Sequence, residues 1–311
     1  MQFAILTQVQ AADLDPCRLL CESAQRFVSG DFRQYLIVEG RLAGRFRPLA
    51  GPRVEILEVE SLVPRGIRWQ MGWAPEAARG AIARLAAASA IGADAFILAG
   101  PGVAFVRPFD PASLQCDDRL RLYRAPGEAR QFPHIGWHRA ASRLLGLPMT
   151  DYFGANYAAD LTAWRRDALG PLRERVELAT GKPWLRALAT AGEFSDAILY
   201  GVFAEHLLPA LHRFEATPAC HGGWPYDLAS EAGVRRFFDD IGPSHAAVRI
   251  PADAPIAVEH CRRRIGIPTP NLAAHRGAAP KILRPRPALN PTDRAVSTPH
   301  SGTPVDLPIV R

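Results

Sequence analysis

Four groups of side chains in this chain could do chemistry. Asp196 sits where a helix should begin, in Phe194-Ser195-Asp196, with Glu193 as a second carboxylate just before it. A carboxylate in that place could take a proton from a hydroxyl; the helix dipole alone also favours an acid in a first turn. His134, Trp137 and His138 offer rings suited to a sugar or a phosphate, or to packing a helix on a sheet. Arg107, in Phe105-Val106-Arg107-Pro108-Phe109, could grip a phosphate through two parallel hydrogen bonds or pair with Asp110. His221, in Cys220-His221-Gly222-Gly223-Trp224, could ligate a metal or bond backbone in a loop.

Those residues need a frame, and the first half of the chain predicts one. Apolar runs at 3–6, 35–38, 54–59, 95–98 and 103–106 read as strands. Helices are expected from Asp13 or Asp15 to about Val28, and from Glu76 to Ile91. That alternation predicts an α/β fold, a Rossmann-like, doubly wound and mostly parallel sheet with ligands at the carboxyl ends of its strands. Thr7 and Gln8, just past the first strand, are then expected beside the ligand. Gly100-Pro101-Gly102 reads as a tight turn, its glycines free to take positive φ. The second half reads as helical, over 136–145, 161–180, 183–191, 196–208 and 231–241. Residues 267–311 hold nine prolines and a net charge of +4, so a basic, disordered tail is expected after a folded domain of 1–266. Such a tail could rest on an acidic surface.

Composition removes several classes. Nearly half of the 311 residues are hydrophobic, enough for a large core. No apolar run nears the ~20 residues of a membrane span, and the N-terminus has no basic segment before its first strand, so a cytoplasmic protein is expected. The net charge of +6 falls mostly in the tail, which argues against nucleic acid as a partner. The five cysteines have no C-x-x-C spacing, and neither a G-x-S-x-G elbow nor a P-loop is present.

Taken in order, Phe105-Val106-Arg107-Pro108-Phe109, His134-x-x-Trp137-His138, Trp164-Arg165-Arg166-Asp167, Phe194-Ser195-Asp196 through Gly201, and Cys220-His221-x-x-Trp224 resemble a bacterial family of unknown function with a glycosyltransferase-like fold. The resemblance covers about 1–265. It implies a nucleotide-sugar donor and a carbohydrate acceptor, with Asp196 as the base and Thr7, Arg107, His134, Trp137 and His138 on the substrates. Such folds carry Asp-x-Asp for Mn²⁺ or Mg²⁺ where this chain has Gly100 and Gly102, leaving His221 as the one metal ligand the resemblance implies. The family also tends to place polar residues where this chain reads Arg79-Gly80-Ala81-Ile82-Ala83-Arg84. Two functions follow: sugar transfer, or a non-catalytic scaffold that binds carbohydrate or protein. A catalyst should bring Asp196 and His221 to one pocket with Thr7 and Gly102; a scaffold should fill that pocket with apolar side chains.

Overall fold

The computed structural model describes residues 1–127, 134–148, 154–223 and 225–268. Trp224 and the tail from 269 onward lie outside the described residues. Its centre is a sheet of β1 (Phe3–Gln8), β2 (Phe32–Val38), β3 (Val54–Glu58), β4 (Ala95–Ala99) and the strand Leu161–Arg165. The spatial order is Leu161–Arg165, β4, β1, β2, β3, with all neighbours parallel except the first pair.

Both faces of the sheet are covered, as a parallel sheet requires. Ala4, Leu6, Phe96 and Leu98 point to one face, Phe3, Ile5, Ala95 and Ile97 to the other. The first face packs against α5 (Glu76–Ala90) and the helices of the second half. Alanines at 78, 81, 87 and 88 on α5 let that helix approach the strands closely. The other face receives α1 (Leu14–Phe27), where Leu20 and Ala24 meet the strands and Cys17 and Cys21 are buried against Leu36 and Val38. Between β2 and α5 the chain makes three short helices, α2 (Gly40–Phe46), α3 (Val59–Leu62) and α4 (Arg65–Met71).

Two features depart from the sequence reading. Residues 161–180 do not form one helix. Leu161–Arg165 is an edge strand antiparallel to β4, and the helix starts at Arg166. Five residues, Leu-Thr-Ala-Trp-Arg, carry too little periodicity to tell a buried strand from a helical turn. Secondly, β5 (Val103–Phe105) leaves the main sheet after the Gly-Pro-Gly turn and pairs with the strand Ala247–Arg249, which in turn pairs with Cys220–Gly222. Arg249 stands opposite Val103 in that register, so the turn faces the far end of the folded chain.

Candidate functional site

A cleft of about 360 Å³ opens at the carboxyl ends of β1 and β4, where ligands of open α/β sheets bind. Gln8, Gln10 and Asp13 enter it from the end of β1, Ala99, Gly100 and Pro101 from the end of β4, and Asp160, Thr162 and Trp164 from the edge strand and its approach. Arg84 of α5, Asp196 and Arg249 close it. A second recess of about 280 Å³ shares Gln8 and Gln10 and runs along α5 past Arg79 and Gly80 to Glu39 and Arg41.

The floor of the cleft is an ion pair. Arg84 donates from Nε to Asp196 Oδ2 at 2.6 Å and from Nη2 to Oδ1 at 2.9 Å, a two-pronged match of guanidinium to carboxylate. Asp196 opens the helix Asp196–Leu207, capped by Ser195, whose hydroxyl accepts from the Ile198 amide. Asp196 is only 4% exposed. Gly80 lies one turn before Arg84 on the same face of α5. A methyl at Gly80 would meet Gln8 Oε1 at 2.8 Å, so the glycine lets Gln8 lie against the helix. The Arg79–Arg84 stretch is therefore not stripped of polar function: Arg84 reaches into the cleft.

Two carboxylates stand nearer the opening. Asp13 Oδ2 accepts from the Gln10 amide at 2.8 Å. Asp160 Oδ1 is 3.4 Å from Arg249 Nε. Burial raises the affinity of both for a proton; for Asp160 the neighbouring Arg249 pulls the other way without cancelling it. Thr162 and Trp164, both more than nine-tenths buried, have no partner for Oγ1 and Nε1 among the described residues. Each is a polar group already taken out of water, so a ligand that supplied its hydrogen bond would recover the desolvation cost. Trp164 is held in place by stacking on Tyr200, 5.0 Å between ring centres. The Tyr200 hydroxyl accepts from the Arg165 amide and lies 3.0 Å from His212 Nε2.

The Gly-Pro-Gly turn is governed by contact and not by φ, since neither glycine takes a positive value. A Cβ at Gly102 would stand 2.0 Å from the Ile250 carbonyl oxygen and 2.1 Å from Arg249 Nη1. At Gly100 it would stand 3.4 Å from Arg249 Nε. The volume in which a side chain at position 102 would project is filled by Arg249 and by backbone, and at position 100 a side chain would start in contact with Arg249. Among the described residues no cluster of His, Cys, Asp or Glu is arranged to hold a metal ion; Asp196 is held at both oxygens by Arg84, and Asp13 and Asp160 each have one oxygen engaged, by the Gln10 amide and by Arg249. These residues do not fit Mn²⁺ or Mg²⁺ at the turn.

Of the residues singled out in the sequence, Gln8, Gly100 and Asp196 line this cleft. Thr7 is fully buried on the opposite side of its strand from Gln8, its hydroxyl unpartnered. Arg107 donates to the Pro243 carbonyl at 2.9 Å, not to Asp110. His134 and Trp137 lie ring against ring, 5.0 Å apart and tilted by 32°, on the helix His134–Leu145, and His138 is buried with its ring 6.3 Å from that of Tyr157. Burial pushes the His138 imidazole down to about 4. His221 lies among rings, 4.9 Å from Phe237, 5.4 Å from Tyr226 and 5.0 Å from His245. Neither it nor the 134–138 group lines the cleft. The residues that sequence reasoning missed are Gln10, Asp13, Arg84, Asp160, Thr162, Trp164 and Arg249. Gln10 and Asp13 follow from the rule that placed Thr7, carried a few residues further. Arg249 has no local signal.

Residues 3–225 match a family described as a family of unknown function (DUF6492). The chain belongs to that family. No curated protein matches it. Among solved structures it is similar to mouse xyloside xylosyltransferase 1 in its apo form, at 11% identity and a TM-score of 0.47 over 82% of this chain and 98% of that one. Among the described residues, no helix of this member of the DUF6492 family is long and apolar enough to cross a membrane.

Proposed function

We propose that this DUF6492 member binds a nucleotide-sugar at the ends of β1 and β4 and transfers its sugar to a carbohydrate acceptor. The observation that carries this reading is the pair of unpartnered buried groups, Thr162 Oγ1 and Trp164 Nε1, in a cleft that also presents Gln8, Gln10 and two arginines. The recess beyond Gln8, with Glu39 and Arg41 at its end, has room for the nucleoside, and the cleft has room for the phosphates and sugar. The order of motifs in the sequence supports the same class. Within this reading Asp160 suits a base better than Asp196. Among the described residues Asp160 Oδ2 accepts no hydrogen bond, and burial makes the group more basic. Both oxygens of Asp196 are held by Arg84.

The test is a thermal titration of the full chain with a panel of nucleotide-sugars, followed by detection of released nucleoside diphosphate. Ligand at a hundred times its Kd stabilises the native state by about 2.7 kcal/mol, a readily measured rise in melting temperature. A donor-selective rise with slow diphosphate release is expected. No shift with any nucleotide-sugar would refute the reading. The Arg84–Asp196 pair favours a second reading, binding without transfer. It would take over if a donor raised the melting temperature and no diphosphate were released with any carbohydrate acceptor.

A further inference from the structure

Where Asp-x-Asp would hold a metal, this chain places a guanidinium. Arg249 Nη1 donates to the Ile250 carbonyl at 2.6 Å, and Nε faces Asp160 at 3.4 Å. Its Nη2 has no hydrogen-bonding partner among the described residues. The head group is thus fixed by backbone on one edge and by a carboxylate on another, at the mouth of a cleft about 360 Å³ in volume. Gly102 is what admits it, because a Cβ there would collide with Arg249 itself. Thr162 and Trp164 line the same cleft, and among the described residues their buried Oγ1 and Nε1 have no hydrogen-bonding partner.

Resting on the nucleotide-sugar reading above, we infer that Arg249 is the cation that binds the diphosphate, so that this cleft takes its nucleotide ligand without a divalent metal. The logic of a metal site is kept with different parts. A positive charge is anchored by a protein carboxylate, Asp160, and turns its remaining donors toward the ligand. A planar guanidinium can give two parallel hydrogen bonds to a phosphate, where a glycine turn can give only amides. Asp160 holds the guanidinium in register, and Arg84, the other cation of the cleft, is already committed to Asp196.

The experiment uses the full chain and UDP, GDP, ADP, CDP, dTDP and inorganic pyrophosphate as probes, titrated by calorimetry in EDTA and again in Mn²⁺. The expected result is a Kd for the preferred diphosphate that changes less than threefold between the two buffers, and that weakens tenfold or more in R249M. The corresponding nucleoside, which has no phosphate, should bind R249M as it binds the native chain. R249K should recover part of the loss. Binding in Mn²⁺ that vanishes in EDTA would overturn the inference and leave the nucleotide reading standing, as would an unchanged diphosphate Kd in R249M. Failure of every probe in both buffers would instead remove the nucleotide reading itself. If R249M does not fold, the EDTA and Mn²⁺ comparison on the native chain decides alone.

Discussion

Replacing Asp196 with asparagine tests whether the floor of the cleft is structural. The substitution keeps the shape and removes the charge, leaving Arg84 with a guanidinium whose partner can accept but not neutralise. Breaking a buried ion pair by removing one member costs about 3–5 kcal/mol. Asp196 is 5% exposed at its side chain and Arg84 27%, so water reaches one partner; the lower end, about 3 kcal/mol, is the expected loss. For a folded unit of this size that lowers the melting temperature by about 5 °C. Scanning calorimetry of the native chain, D196N and the double variant R84M/D196L measures it. The double variant should regain most of the loss, because well-packed apolar residues replace a buried pair at little cost. A D196N protein melting within about 2 °C of native, the range of an ordinary surface substitution, would refute the reasoning. If such a protein also lost sugar transfer, Asp196 would be the base after all.

Three further outcomes follow from the same geometry. T162V should melt as the native chain does or slightly higher, since the hydroxyl has no partner to lose. Its nucleotide-sugar binding should weaken about fivefold, the worth of one hydrogen bond; calorimetry showing equal affinity would exclude Thr162 from the ligand. G201A should lose about 3 kcal/mol in urea unfolding, because a methyl there would sit 2.1 Å from Tyr157 Cγ; a loss below about 0.5 kcal/mol would mean the Tyr157 ring yields. Burial holds His138 and His212 neutral, each down to about 4, against about 6.5 in the unfolded chain. The unfolded state therefore binds more protons between those values, and stability falls as pH drops from about 6.5 toward 4, each histidine withdrawing up to about 3 kcal/mol. Imidazole resonances of His138 and His212 titrating near pH 6.5 would contradict this.

The sheet was legible because its strands are short runs of large apolar residues separated by helices with clear starts. Ser195 before Asp196 and Gly181 after Thr180 marked helix ends that the structure confirms. The edge strand Leu161–Arg165 was not legible, because its first four residues are all buried, without alternation, and it abuts a true helix. That one misreading hid Thr162 and Trp164, since on a helix they would not have pointed at the end of β4. The turn at 100–102 was recognised as lacking carboxylates, but its glycines were credited to backbone freedom. What Gly102 accommodates is Arg249, 147 residues later in the sequence. No local pattern encodes so distant an approach. The ring residues from His134 to His138 illustrate the converse: their types suit a ligand, and tertiary packing uses them against one another.

The arrival of Arg249 from so late in the chain also orders how the cleft comes into being. β1 to β4 lie within the first 99 residues and can pair as soon as they are made. The edge strand returns to β4 only after some 60 further residues, and the strand bearing Arg249 docks on β5 only after nearly 90 more. A chain cut before Ala247 lacks the strand that carries the cation to the turn. Asp160 is then unpaired and the glycine turn lies open. A nascent or C-terminally cleaved chain would own a recognisable sheet and an unfinished pocket. The last hundred residues thus decide whether the first hundred have anything to bind.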